Sequence, residues 1–156
     1  MQKYTCCFIG HRKINISQEL KKRLKALIEE LIINKNVNTF LFGSESEFDD
    51  LCYQVVSELK EKYPYIKRVY VRAEFLQITD NYKAYLLQGY EDTYYPQEVR
   101  GAGKAAYIKR NFNMINKSEI CVIYYSEDCL PKIRKSGTKL ALDYAILKNK
   151  KVMLLP

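Results

Sequence analysis

The chain has 156 residues, 47% of them hydrophobic and 28% charged, a balance that fits one soluble globular domain with a real core rather than a disordered or fibrous chain. No run approaches the ~18 consecutive apolar residues of a membrane span, and the N-terminus enters a strand without a signal-peptide pattern. The formal net charge of +8 favours anionic partners, whether nucleotides, nucleic acid or acidic proteins, although Lys and Arg are scattered through every segment and no nucleic-acid motif stands out.

Five cysteines (Cys6, Cys7, Cys52, Cys121 and Cys129) include no C-x-x-C pair. Neither a zinc site nor a disulfide framework is indicated, so buried thiols, no metal and a reducing cytoplasm are expected.

In chain order, Tyr4 to Ile9 is a short apolar run that stops at Gly10, followed at once by His11, the only histidine, and Arg12. A buried strand reads this way, with the glycine allowing a sharp turn off the sheet. Asn15 or Ser17 can cap the helix that follows; Leu20, Leu24, Leu27, Ile28, Leu31 and Ile32 fall on one of its faces. Asn34-Lys35-Asn36 ends it. Thr39 to Phe42 is a second strand, again stopped by a glycine, Gly43, before Ser44-Glu45-Ser46-Glu47. Phe48, Leu51, Cys52, Val55, Val56 and Leu59 mark a second helix running to Tyr63-Pro64. Ile66 to Ala73 reads as a third strand.

From Glu74 to Arg100 the period is lost. This stretch holds Tyr82, Tyr85, Tyr90, Tyr94 and Tyr95, with a short helix expected around Tyr82 to Gln88. It reads as a long excursion, of the kind that is functional or mobile in compact domains. Beyond Gly101-Ala102-Gly103, the residues Ala105, Ile108, Phe112 and Ile115 predict the inward face of a third helix. Ile120 to Tyr125 is a fourth strand, apolar throughout as a central parallel strand should be. The basic loop Lys132-Ile133-Arg134-Lys135 leads to Ser136-Gly137-Thr138, a fourth helix with Leu140, Ala141, Tyr144 and Ala145 inward, and a last strand, Val152 to Leu155. Strands and helices alternating at this spacing predict one α/β domain over residues 1–156, a doubly wound parallel sheet of about five strands with helices on both faces.

Ser136-Gly137-Thr138 precedes a helix directly, so its backbone N–H groups and two hydroxyls suit a phosphate; an ordinary Ser or Thr cap is the plainer alternative. It is not a Walker A loop, and Gly101-Ala102-Gly103-Lys104 is an incomplete phosphate fingerprint. Arg12 could pair with a phosphate through two hydrogen bonds, and His11 could donate to a phosphate or ribose oxygen or act as an acid–base group; alternatively the histidine caps the strand end. Arg110 and Asn111 either point into a crevice or lie on the solvated side of their helix. The acidic candidates are Glu45, Glu47, Asp49, Glu74 and Asp143, with no dyad fixed by spacing and no nucleophile elbow.

Taken together, C-C-F-I-G-H-R at 6–12, F-L-F-G-S-E-S-E-F-D at 40–49, Y-I-K-R-N at 107–111 and K-S-G-T-K-L-A at 135–141 resemble the SLOG superfamily. This is the Rossmann-like group that joins the Smf/DprA proteins, the LOG enzymes and the bacterial YpsA-like proteins. The likeness runs over essentially the whole chain and extends to SLOG proteins of bacteria and their phages through the FIGHR start, the VRAEF strand and the YEDTYYP segment. It implies strand order 3-2-1-4-5 and a nucleotide or nucleotide-derived ligand at the switch point between the first and fourth strands. Gly10, His11, Arg12 and residues 126–138 belong to that point.

LOG enzymes cleave the N-glycosidic bond of nucleoside monophosphates with a P-G-G-x-G-T motif, glutamates after it and an arginine in a preceding helix. Arg110 matches that arginine and Gly137-Thr138 the glycine-threonine, but Lys139-Leu140-Ala141 stand where the glutamates would be. Cleavage through an oxocarbenium-like state needs a carboxylate, which only Asp143 or Glu74 could supply. Acidic residues after Gly43-Ser44 would repel phosphate but could hold ribose hydroxyls.

The leading expectation is therefore binding of a nucleotide or nucleotide derivative, as sensor or sponge, by Gly10, His11, Arg12, Gly43, Ser44, Arg110, Asn111, Ser136, Gly137 and Thr138. No further cofactor is expected. One of the tyrosines in 82–95 would stack on the base, build a homo-oligomer or simply pack. The alternatives are a nucleotide N-glycosidic hydrolase using Asp143, Glu74 and Arg110, and nucleic-acid binding through the positive charge.

Overall fold

The computed structural model of the chain describes residues 2–43, 46–126 and 136–156. Ser44, Glu45, Cys129 and the basic loop from Lys132 to Lys135 lie outside the described residues. The elements in order are β1 (Tyr4–Gly10), α1 (Gln18–Asn34), β2 (Val37–Phe42), α2 (Glu47–Lys62), β3 (Lys67–Val71), α3 (Asp80–Leu86), β4 (Asp92–Tyr94), α4 (Ala106–Asn116), β5 (Ile120–Tyr124), α5 (Gly137–Leu147) and β6 (Lys151–Leu155). Short 3-10 turns at Gln97–Val99 and Gly103–Ala105 precede α4. No helix among the described residues is long and apolar enough to cross a membrane.

The strands form one parallel sheet in the order β4-β3-β2-β1-β5-β6. Without β4 this is the expected 3-2-1-4-5 order, because the fourth and fifth predicted strands are β5 and β6. The sixth strand comes from the stretch read as an excursion. Three residues are too short to show a period. Their pairing is set instead by Arg68 of β3, which holds both carboxylate oxygens of Glu91, at 3.0 Å through Nε and 2.8 Å through Nη2.

Alternation along the strands feeds two apolar layers. Cys6, Phe8, Phe40, Phe42, Val122 and Tyr124 pack with α1 and α2. Cys7, Ile9, Leu41, Val69, Cys121 and Ile123 pack with α4 and α5. Thus β1 and β5, buried on both faces, read as unbroken apolar runs. The predicted faces of α1 and α2 are buried, with Leu27 packing at the margin. In α4 the inward face is rotated from the expected one. Arg110, Asn113, Met114 and Ile115 are buried, while Phe112 stacks flat on Tyr144 of α5 with ring centroids 3.9 Å apart. Two polar residues face inward there because the polar groups around them satisfy part of their hydrogen bonding.

Four cysteines, Cys6, Cys7, Cys52 and Cys121, are free thiols buried in these layers. Burial pushes Cys6 and Cys52 up, and Cys7 is raised first by its hydrogen bond with Cys121 and then by burial. Such thiols are poor nucleophiles.

Candidate functional site

In a parallel sheet every strand delivers its carboxyl end to one edge, and the helices of the two faces diverge where the strand order reverses, here between β1 and β5. His11 leaves β1 at that point and is 7% exposed. Its Nε2 lies 3.0 Å from the Ser126 amide and 3.1 Å from the Ser126 carbonyl oxygen. The neutral ring accepts from the amide; a protonated ring would donate to the carbonyl. Burial lowers the His11 pKa from its ordinary value, with the Ser126 carbonyl opposing. His11 also contacts the rings of Tyr124 and Tyr125, with centroids 6.2 and 5.4 Å away. Lys139 of α5 reaches over Tyr125, Nζ standing 5.8 Å from the ring. The histidine and the first turn of α5 are therefore joined through Tyr125.

At the start of α5, Ser136 is the N-cap. Its hydroxyl accepts from the amides of Thr138 and Lys139 at 3.1 and 3.3 Å. Thr138 is buried and Gly137 exposed. Two of the amides that could face a phosphate are thus turned to the cap, and the Gly137 amide remains at the tip. The Arg12 side chain is exposed and makes no hydrogen bond or ion pair among the described residues, while its carbonyl accepts from the Glu47 amide at 2.8 Å.

Gly10 and Gly43, the two strand-ending glycines, are sites of close approach. A β-carbon on Gly10 would stand 2.4 Å from the Phe48 ring, and one on Gly43 would stand 2.7 Å from Met114 Sδ and 2.8 Å from Arg110 Nε. The Gly43 amide donates to Asp49 Oδ2 at 3.2 Å, so the end of β2 is bracketed by Asp49 from α2 and Arg110 from α4. Both side chains are buried, at 3% and 4% exposure. Glu47 is structural, accepting from the Ile14 amide at 2.8 Å and holding the loop after β1.

Arg110 donates through Nη2 to Asn111 Oδ1 at 3.3 Å and sits over the Tyr107 ring, 5.2 Å from its centroid. The Tyr107 hydroxyl donates to Glu74. Glu74 is thereby joined to Arg110 through one tyrosine. Asp143 faces outward on α5, 57% exposed, bonded at 2.9 Å to Lys139 one turn back.

The expected residues therefore fall into two neighbouring groups at the carboxyl edge. Gly10, His11 and the first turn of α5 lie at β1 and β5, while Gly43, Arg110, Asn111 and Glu74 lie at β2 and β3. Since β1 and β2 are adjacent, the groups are about one strand spacing, ~5 Å, apart in the sheet direction. Asp143 joins neither, and Ser44 lies outside the described residues.

Tyr107 was absent from the sequence-derived set, although it stands three residues before Arg110 and so shares its helix face. A second cluster was also missed. Tyr94 donates to Asn113 Oδ1 at 2.8 Å, and Asn113 Nδ2 donates to Glu98 at 2.5 Å, fastening the segment after β4 to α4. Of the tyrosines between 82 and 95, Tyr90 packs among Phe42, Tyr53 and Tyr70, whereas Tyr82 and Tyr85 are exposed.

No family model matches the chain, and no curated protein matches it.

Proposed function

We propose that the chain binds a nucleotide or nucleotide-derived ligand across the carboxyl edge of its sheet, as a SLOG-type sensor or sponge in the cytoplasm. The observation that carries this reading is Arg110. It is a guanidinium 4% exposed at the end of β2, and room for it depends on a glycine. It lies at the carboxyl edge of a parallel sheet, where ligands of such folds bind, and a phosphate is well matched to the planar fork of arginine. Arg12 and the capped start of α5 offer further positive potential one strand away.

A thermal-shift screen tests it, with AMP, NAD, ADP-ribose, cyclic ADP-ribose and cyclic dinucleotides. Ligand at ~100 times its dissociation constant adds about 2.7 kcal/mol, a shift that Arg110→Ala and Arg12→Ala should abolish. No shift from any of them sinks the reading.

The Glu74–Tyr107–Arg110 chain favours a second reading, hydrolysis of the N-glycosidic bond, with Glu74 as the carboxylate. Asp143, paired with Lys139 on the outer side of α5, suits that role less. Chromatography of each incubated nucleotide decides between binding and turnover. Free base released by the native chain and not by Glu74→Gln makes it a hydrolase, and intact ligand makes it a binder.

A further inference from the structure

Directly after Glu74 the backbone does something a bulky residue rarely does. Phe75 has φ of 59°, in the left-handed region, and its ring is 65% exposed. The conformation is held from beneath by Arg72, whose Nη1 donates to the Phe75 carbonyl at 2.7 Å. Neither burial nor an easy backbone accounts for an aromatic ring in this place. Strain of this kind accumulates where the surroundings must aim a side chain.

The ring forms one wall of a cleft of about 270 Å³ lined by Phe75, Gln77, Ile78, Thr79 and Tyr82. Phe75 and Tyr82 stand nearly at right angles, 72° apart with centroids separated by 6.4 Å. A third planar ring set in that corner lies flat on one of them and meets the other edge-on, the two arrangements aromatic pairs favour. That volume is enough for one planar ring system. The Gln77 side chain makes no hydrogen bond among the described residues, and its amide offers both a donor and an acceptor to a ring edge. Glu74, adjoining Phe75, is tied through Tyr107 to Arg110. The cleft thus begins one residue beyond the Glu74–Tyr107–Arg110 chain.

We infer that this corner is the subsite for the base of the ligand, with Phe75 and Tyr82 as the stacking surfaces. The inference rests on the nucleotide-binding reading and specifies which end of the nucleotide lies at β3. The ribose and phosphate then run from Glu74 toward Arg110 and the β1–β5 switch point.

Calorimetric titration with AMP, ADP-ribose and cyclic di-AMP, each compared with ribose 5-phosphate, separates the two ideas. Base–aromatic stacking corresponds to at least about a fivefold affinity difference. The expected result is that a base-bearing ligand binds tighter than ribose 5-phosphate by that factor or more. Phe75→Ala should erase the advantage and leave ribose 5-phosphate unchanged, whereas Arg110→Ala weakens both. The chain contains no tryptophan, so Phe75→Trp supplies a single reporter. Its fluorescence should be quenched by the base-bearing ligand and not by ribose 5-phosphate. Leu147→Ala, which removes an exposed apolar side chain on α5, should alter none of these values.

Equal binding of ribose 5-phosphate and nucleotide overturns the base subsite while leaving the phosphate site standing. So does tight nucleotide binding that Phe75→Ala and Tyr82→Ala leave unchanged. A change in oligomeric state on Phe75→Ala, with base preference intact, would make the cleft a subunit contact instead. If no probe binds, both the inference and the reading beneath it fall.

Discussion

Arg110 and Gly43 occupy each other's space. A β-carbon on the glycine would lie 2.8 Å from the arginine Nε and 2.9 Å from its Cδ, closer than such contacts allow. The guanidinium reaches the end of β2 only because that position has no side chain. Gly43→Ala should therefore displace Arg110 and Met114, the flexible neighbours, at a modest cost of about 1 kcal/mol. On the proposed nucleotide-binding reading, affinity for the ligand should fall about tenfold or more. At Gly10 the obstacle is the Phe48 ring, which is fully buried, so Gly10→Ala should cost about 2–3 kcal/mol. Urea melts of the two variants, read beside ligand titrations, check the contrast.

Between neutral pH and about pH 5 His11 makes the pH dependence of stability largely a single-residue question, because no other histidine is present. Burial lowers its pKa in the folded chain, so the unfolded chain binds a proton more readily around the ordinary value of ~6.5. Folding stability contributed by the neutral ring is complete above that value and is lost as pH falls through the lowered folded pKa. Melting temperature should drop between neutral pH and about pH 5. In His11→Gln the slope over that window should be flatter. Equal slopes in the two proteins would show that burial of His11 carries no linkage.

Phe75 reverses the usual order of alanine and glycine. Left-handed backbone costs a residue with a β-carbon about 1–2 kcal/mol, and alanine keeps that cost while losing the contact with Tyr82. Phe75→Gly should thus be about 1 kcal/mol more stable than Phe75→Ala. Thermal denaturation of the pair measures this; alanine equal to or above glycine would mean that the loop relaxes.

Tyr94→Phe deletes one hydroxyl and leaves Asn113 Oδ1 without its donor at a position 6% exposed. The loss should be about 1–2 kcal/mol, appearing as a lower urea midpoint with an unchanged slope. Combined with Asn113→Ala, the two changes should be markedly less than additive. Full additivity would show that the hydrogen bond does not couple β4 to α4.

Much of the architecture was legible because it depends on repetition. Leu20, Leu24, Ile28, Leu31 and Ile32 recur at the helical period and bury together, and the apolar runs ending at Gly10 and Gly43 mark strands buried on both faces. The face of α4 was misread for a physical reason. Arg110 and Asn113 are polar, and a polar residue is assigned outward unless its partners are known. Tyr94 and Glu98, the partners of Asn113, lie 19 and 15 residues away in the chain. Strand β4 was hidden likewise, since three residues have no period and the Arg68–Glu91 pair that anchors it spans two elements.

The sequence by itself determined the alternation of strands and helices, the two buried layers and the glycines at the exits of β1 and β2, because local spacing encodes which side of an element meets water. Tertiary structure alone decided which side chains meet at the carboxyl edge. It joined His11 to Ser126, Arg110 to Gly43, and Glu74 to Arg110 through Tyr107. It also turned Asp143 outward and set Phe75 against Tyr82. These are contacts between elements brought side by side by parallel pairing, and no period within one element carries the position of another.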